Sequence, residues 1–255
     1  MTDNPTSTDR VRSILVIAAT FGTIFFNILS AVGRINGITP EAISNKYTTL
    51  VTPAAFAFTI WTLIYAGMIA FSIYQFLAAN LIKYRSIRTF YILSCALNCG
   101  WIFFWHSDQI AVCLVLIFLL AASLFFINLN LKETETLGEF WLAKAPFGIY
   151  FGWVTAASLV NFAILLVYLG VQISEAAWTA VSVALILFAA ALGVLMRVRL
   201  TNYLYPLAIA WALTAIAVKQ SGHTATVVAC AVGVVISLIA TLSFVVNLPS
   251  TTTAK

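Results

Sequence analysis

The sequence predicts an all-α, polytopic membrane helical bundle with eight transmembrane helices, and three observations support this fold class. First, 62% of the 255 residues are hydrophobic, 8% are charged and the mean hydropathy is +1.03, whereas soluble domains are about a quarter charged. Second, eight runs lack Asp, Glu, Lys and Arg, and each is close to the roughly 20 residues that cross a bilayer as a helix. Third, the runs are too long and too evenly apolar for the alternating strands, about ten residues long, of a membrane barrel. The runs are 13–33, 54–82, 89–107, 109–131, 145–174, 176–196, 200–218 and 220–254.

The helices are predicted in order from these runs, with boundaries set by charge and proline. The first is an uncleaved span, since the polar segment before it is unlike a transit peptide and the run is too long for a cleaved signal core. The second begins after Pro53, and the seventh has Pro206 in its first turn, where proline is tolerated. The predicted spans are 13–33, 54–78, 90–105, 110–130, 142–169, 177–196, 203–218 and 223–247.

Basic residues are distributed unevenly between the two sets of connecting segments. Ten fall in the segments on the side of the N-terminus and three in the opposite ones. This bias predicts that both termini are cytoplasmic, and we expect a multi-pass protein of a bacterial plasma (inner) membrane. The net charge of +5 follows from this topology and from affinity for anionic headgroups. The lipid bilayer is therefore the expected partner, and no nucleic acid is needed to explain the charge.

Motifs for enzyme chemistry are missing from the sequence, so we predict that the protein is not an enzyme. It has no Walker loop, no zinc-spaced His/Cys cluster and no G-x-S-x-G elbow. Cys95 and Cys99 are one helical turn apart but have no further ligands nearby, which favours packing and predicts no metal. His106 and His223 are interpreted as residues of solvated outer turns, with haem ligation as a minor alternative. The acidic segment 133–139 is interpreted as a solvated loop.

Aromatic and amide side chains recur at helical spacing in the second, third and fifth helices, so each set shares a helix face. Membrane tryptophans often lie at interfaces and buried asparagines often join helices, and we assign Trp105, Trp178, Tyr168 and Tyr203 to those roles. For the deeper indoles, a shared pocket for a flat apolar ligand and plain core packing are equally good interpretations. The candidate site residues are Trp61, Tyr65, Asn98, Trp101, Trp153, Ala157 and Asn161.

Three stretches carry a resemblance to a known family. TPAAFAFTIWTLIYAGM (52–68), LNCGWIFF (97–104) and IYFGWVTAASLVN (149–161) resemble signature segments of the TspO/MBR family, the translocator or tryptophan-rich sensory proteins. The matching positions are Pro53, Trp61, Tyr65, Leu97, Asn98, Trp101, Tyr150, Trp153 and Asn161. The chain departs from the family pattern at Ile149, where a proline is usual. The resemblance covers about 13–170, so the chain looks like a long form of the family with extra C-terminal helices.

The resemblance implies a domain organisation. We expect a cytoplasmic tail at 1–12, a five-helix TspO-like membrane domain at 13–170, a three-helix membrane extension at 171–247 and a polar tail at 248–255. The long outer loop 34–52 would form a lid over the pocket together with Pro53. Gly148 and Gly152 form a GxxxG step for close helix contact, within the bundle or in a homodimer.

The resemblance also implies a function, a membrane binding and sensory protein whose pocket takes a planar apolar ligand such as a tetrapyrrole. No cofactor is firmly predicted, although a porphyrin or haem is compatible with the family. Trp61, Trp101 and Trp153 would stack on the ligand, Tyr65, Asn98 and Asn161 would orient it, and Ala157 would leave space. Two alternatives stay open: a passive carrier or exchanger of a small apolar metabolite, and a structural partner protein whose pocket is filled by side chains.

Overall fold

The computed structural model describes residues 5–77 and 80–246, and every regular element in these two ranges is helical. The elements are α1 (Ser7–Ala31), α2 (Pro40–Lys46), a 3-10 turn (Ala55–Thr59), α3 (Ile60–Tyr74), α4 (Arg85–His106), α5 (Ile110–Asn130), α6 (Leu137–Glu139), a π-helical turn (Phe140–Lys144), α7 (Ala145–Tyr168), α8 (Glu175–Leu200), α9 (Leu204–Lys219) and α10 (Thr224–Val246). The predicted polar tail 248–255 lies outside the described residues.

The predicted all-α membrane bundle is confirmed. Within the described residues, seven helices are long and apolar enough to cross a membrane, and α9 is a shorter apolar helix in the position of the seventh predicted span. The first helix begins at Ser7, six residues before the predicted start. Thr6 and Asp9 form a capping box there, in which each side chain accepts a hydrogen bond from the other's backbone N–H. Because this first turn of α1 is polar, the hydrophobic pattern did not predict that it is helical.

Five helices form a closed ring, in which α1 contacts α3, α3 contacts α7, α7 contacts α5, α5 contacts α4 and α4 contacts α1. We call these helices the ring. The remaining long helices, α8, α9 and α10, pack on one another, and α9 packs along α7 and against the 3-10 turn. We call them the extension. The interior of the ring is where a cavity can form.

Small residues set the closest helix contacts. An added Cβ at Gly67 would lie 2.6 Å from the Pro146 side chain, which shows how tightly α3 and α7 approach. At Gly152 it would lie 2.4 Å from the backbone oxygen of Tyr205 in α9, and at Gly148 it would overlap Asn202. The predicted GxxxG face is therefore used within the chain, for packing of α7 against α9 and the turn that precedes it.

The acidic segment after α5 differs from its interpretation as a solvated loop. Glu139 is only 2% exposed, and its carboxylate accepts hydrogen bonds from the backbone N–H of Glu135 and from Lys83 Nζ. Exposed Glu135 also pairs with Lys83 at 2.8 Å, and this hydrogen bond lowers the pKa of Glu135. The composition of the loop did not predict that the Glu139 carboxylate binds Lys83, which lies just before α4.

Candidate functional site

A cavity lies inside the ring and is closed on one side by α9. All the predicted site residues except Tyr65 line it, and Trp105, Phe58 and Ser44 join them. The cavity is small, with a volume of about 50 Å³, so it has room for only a few water molecules. The lining consists of Ser44, Pro53, Phe58, Trp61, Asn98, Trp101, Trp105, Ile117, Leu120, Trp153, Val154, Ala156, Ala157, Val160, Asn161, Ile164, Ala212 and Ile216, none of them charged.

The indoles of three helices form the aromatic walls of this central cavity. Trp61 of α3 and Trp153 of α7 meet edge to face, with ring centroids 6.4 Å apart and planes at 83°. On α4, Trp101 stacks on Trp105 at 5.1 Å and 20°. Trp61 stacks on Tyr65 at 5.5 Å. Trp101 and Trp153 are 9% and 5% exposed, so they are interior residues and not headgroup anchors.

The two amides hold the walls in place. Trp101 Nε1 donates to Asn161 Oδ1 at 3.2 Å, which joins α4 to α7. Asn98 Oδ1 accepts from Asn27 Nδ2 at 2.7 Å, which joins α4 to α1. Asn98 Nδ2 has no hydrogen-bond partner although the side chain is 1% exposed. Because a buried donor without a partner is costly, this N–H is a candidate donor for a bound group.

Tyr65 lies apart from the central cavity and lines a second one, which we call the lateral cavity. It has a volume of about 290 Å³ and lies between α1, α3, α4 and the start of α2. Phe58, Trp61 and Trp101 line both cavities. These three rings are therefore the partition between the two spaces.

The predicted lid contains a short helix, α2, that is not expected from the sequence pattern. Ser44 of α2 and Pro53 after it line the central cavity, and Trp105 Nε1 donates to the carbonyl of Pro40 at 3.2 Å. At the far end, Gln220 Nε2 of α9 donates to the carbonyls of Thr49 and Thr52 at 3.0 and 3.1 Å. The lid segment is thus attached to α4 on one side and to the extension on the other.

An ion pair also fixes the lid segment to the turn between α4 and α5. Lys46 Nζ and Tyr47 Oη both donate to the Asp108 carboxylate. Partial burial would raise the pKa of Asp108, but these two donors outweigh it and the pKa is lowered. The hydrogen bond to Asp108 likewise raises the pKa of Lys46. Both groups are therefore charged over the whole neutral range.

Two residues near the site were misassigned from the sequence. Trp105 was assigned to the interface because it is close to a span end, but it is 2% exposed and lines the central cavity. His106 was interpreted as solvated, but it is 6% exposed. Its Nδ1 donates to the Ile102 carbonyl at 2.8 Å, so Nε2 accepts from the Ser30 hydroxyl at 3.1 Å. Both ring nitrogens are engaged, which leaves no free ligand for haem iron there. The four-residue spacing of Trp101 and Trp105 was the signal for a shared face.

The fold and the apolar helices define the chain as a multi-pass helical membrane protein. The sequence model of a family described as TSPO-like protein matches residues 13–245, and the chain belongs to this family. Membership favours a membrane binding or sensory protein over an enzyme. The match continues through the extension, beyond the range of about 13–170 to which the resemblance was traced. No curated protein and no solved structure matches the chain.

Proposed function

We propose that the protein binds a planar apolar ligand between the tryptophans of the ring. The observation that carries this proposal is the convergence of Trp61, Trp101 and Trp153, from three separate helices, on one uncharged cavity. Aromatic walls of this kind favour a flat aromatic partner through stacking and dispersion. The lining offers no titratable pair and no nucleophile with an adjacent base, so it supports binding and not catalysis.

The size of the cavities sets how a tetrapyrrole would fit. Sites for drug-sized ligands enclose about 300–1,000 Å³, whereas the central cavity encloses about 50 Å³ and the lateral cavity about 290 Å³. A tetrapyrrole would therefore occupy both cavities, after the Trp61 or Trp101 ring has turned to merge them. Asn98 Nδ2 and Tyr65 Oη would then face the ligand from the central and the lateral side.

The charge of the ligand follows from the same lining. Burying an ionised carboxylate without a cationic partner is very unfavourable, and the one ionisable carboxyl at the lateral cavity, Glu41, has the wrong sign. We therefore expect the neutral dimethyl ester of protoporphyrin IX to bind at least as tightly as the free acid. Binding of the free acid alone would contradict this apolar site.

The experiment is a calorimetric titration of the purified full chain with protoporphyrin IX and its dimethyl ester. The double variant Trp61→Ala/Trp153→Ala removes two walls and should weaken binding at least tenfold. The matched control is Trp141→Ala/Trp178→Ala, which also removes two indoles but touches neither cavity. Calorimetry is preferred over tryptophan quenching because both variants remove the reporting groups. Equal affinity in the two double variants would reject these walls.

The lateral cavity favours a second function, passive carriage or exchange of a small apolar metabolite. Two cavities that share a movable aromatic partition offer two successive positions for a ligand along one path. Flux in proteoliposomes separates the two functions. A protein that binds protoporphyrin dimethyl ester in vesicles but never accelerates its transfer between them would be a binding protein only.

Orientation, partners and location complete the proposal. The basic bias supports cytoplasmic termini in a bacterial plasma membrane. A homodimer would use lipid-facing surfaces other than the Gly148–Gly152 face, since α9 already covers that face.

A further inference from the structure

Two buried cations on the membrane face that carries the N-terminus have no carboxylate partner. Lys144 is 5% exposed and Arg197 is 9% exposed. Neither takes part in the ion pairs found among residues 5–77 and 80–246. Arg197 Nε has no hydrogen-bond partner. An uncompensated buried charge is strongly destabilising, so an anion bound beside these two groups would stabilise the protein.

Other cations on the same face are neutralised within the chain. Lys83 pairs with Glu135 and Glu139 at 2.8 and 3.0 Å. Arg85 pairs with Asp9 at 2.7 Å. Among the buried arginines and lysines of the described residues, Arg88 lies 3.9 Å from the Asp9 carboxylate, so Lys144 and Arg197 are the two without a carboxylate partner, where the start of α7 meets the end of α8.

The turn between α8 and α9 brings the two unpaired cations to one place. Thr201 ends α8 in the left-handed region, at φ 52°, and its Oγ1 accepts from Lys144 Nζ at 2.8 Å. Two residues later, the Tyr203 ring lies 3.9 Å below the Arg197 guanidinium. Stacking on the ring fixes the plane of the guanidinium and leaves its N–H groups for a ligand. Lys144 uses two of its three N–H groups, on Thr201 and on the Lys132 carbonyl.

Exposed residues extend this cluster toward the lipid. Lys132 is an exposed cation next to the turn, and its own carbonyl accepts a hydrogen bond from Lys144 Nζ. On α8, the apolar side chains of Val194, Leu195 and Val198 are 39, 46 and 64% exposed, as expected of a surface that faces acyl chains. A phosphate held at the cluster would thus have an apolar surface directly beside it.

We propose that Lys144 and Arg197, together with the adjacent exposed Lys132, bind the phosphate of an anionic phospholipid, whose acyl chains lie along α8. Guanidinium and ammonium groups are the usual protein partners of phosphate, and basic pockets between membrane helices recognise acidic headgroups. The adjoining apolar α8 surface favours a lipid over free phosphate. This site is separate from the tryptophan cavities, and its occupant would be a structural or regulatory lipid.

The test is retention of lipid by the purified full chain, measured by native mass spectrometry after titration with dioleoyl phosphatidylglycerol or dioleoyl phosphatidylcholine, which share the same acyl chains. We expect phosphatidylglycerol to bind at least about tenfold more tightly. Arg197→Gln should reduce this preference about fivefold, as expected for one cation near an anionic headgroup. Arg10→Gln, an exposed cation on the same face, is the matched control and should leave the preference unchanged.

A second variant keeps the test decisive if Arg197→Gln does not fold. Lys132→Gln alters only an exposed side chain and should also reduce the preference about fivefold. Equal binding of the two lipids to the wild-type chain would overturn the proposal, as would an equal loss in Arg10→Gln. Inorganic phosphate that displaces phosphatidylglycerol at micromolar concentration would overturn the lipid as occupant.

Discussion

The ring and the extension are packed with different residues, and the difference explains where space remains. Contacts inside the ring include large flat rings that meet at steep angles, such as Phe58 with Trp153 at 76° and Trp61 with Tyr150 at 67°. Contacts inside the extension are made by small residues such as Ala190 of α8 and Gly233 of α10, which lie against each other. Rigid rings leave gaps between them, whereas alanine and glycine surfaces let helix backbones approach and fill space.

The largest expected effect comes from the contact that joins the two regions. Gly152→Leu places a side chain where even a Cβ lies 2.4 Å from the backbone oxygen of Tyr205. The backbone cannot move aside as a side chain can, so we expect a loss of stability above the roughly 1–3 kcal/mol of ordinary overpacking. Fluorescence-detected gel filtration should show aggregation. Gly22→Leu, where nothing lies within 4 Å, should behave as wild type, and a monodisperse Gly152→Leu protein would contradict this account.

The same substitution in the two regions should have opposite effects. Ala157→Leu adds three carbon atoms to the wall of the central cavity, so we expect unchanged or higher thermal stability and at least tenfold weaker protoporphyrin binding. Ala190→Leu adds them to a packed contact near Gly233, and should destabilise by about 1–3 kcal/mol. Thermal unfolding of both variants measures the difference. Equal destabilisation would mean that the ring is packed as tightly as the extension.

Removing a single hydrogen bond should lower the free energy of unfolding by a similar, small amount, whether the bond lies within the ring or is made by the extension. Tyr91 Oη lies 2.5 Å from Thr20 Oγ1 within the ring, and Tyr205 Oη of the extension donates to Thr155 Oγ1 at 2.9 Å. Tyr91→Phe and Tyr205→Phe should each cost about 0.6 kcal/mol, the average for such bonds in a membrane protein. Unfolding in mixed detergents measures both. If one of these substitutions cost several times more free energy of unfolding than the other, polar bonds and not packing would account for the difference between the two regions.

The smallest effect on stability is expected at the lid. Asp108→Asn removes an ion pair whose side chains are 51% and 42% exposed, and solvent-exposed pairs contribute little. The lowered pKa of Asp108 means that its contribution is present above the ordinary pKa of 3.8 and is lost as pH falls through the folded-state value. The raised pKa of Lys46 means that its contribution is present below 10.5 and is lost at higher pH.

The measurable consequence of this pair is in ligand exchange. Wild-type dissociation of protoporphyrin dimethyl ester, followed by stopped flow, should be flat between about pH 5 and pH 9, because both groups stay charged. Asp108→Asn should release the ligand a few times faster, and equally at every pH in that window. A wild-type rate that changes near neutral pH would show that another group controls the lid.

Much of the fold was predictable because the bilayer imposes length and polarity directly on the sequence. The predicted second to eighth spans agree with the helices within a few residues, apart from the longer α4 and the earlier end of α3. The start of α1 was missed because its first turn is polar and capped, which looks like a tail. Helix α2 was missed because its seven residues are too few for a periodic pattern. Thr39 at the N-cap and Pro40 at the first position were the local signals.

The candidate site was predictable only as sets of residues on single helices. Spacing placed Trp61 and Tyr65 on one face of α3, and the structure shows that both line the lateral cavity while Trp61 also lines the central one. Periodicity gives neighbours within a helix but not the rotation of one helix against another. The unpaired state of Arg197 was likewise hidden, because burial at a helix end depends on the turn that follows it.

The π-helical turn Phe140–Lys144 comes directly before α7. Its wider turn takes one residue more than an α-helical turn would, and each residue rotates a helix by about 100°. The phase of α7, and with it the direction of Trp153 and Asn161, therefore depends on chain length at a point well outside the cavities. Deleting one residue within 140–144 would turn that whole helix face away from its partners while every residue of the site is still present.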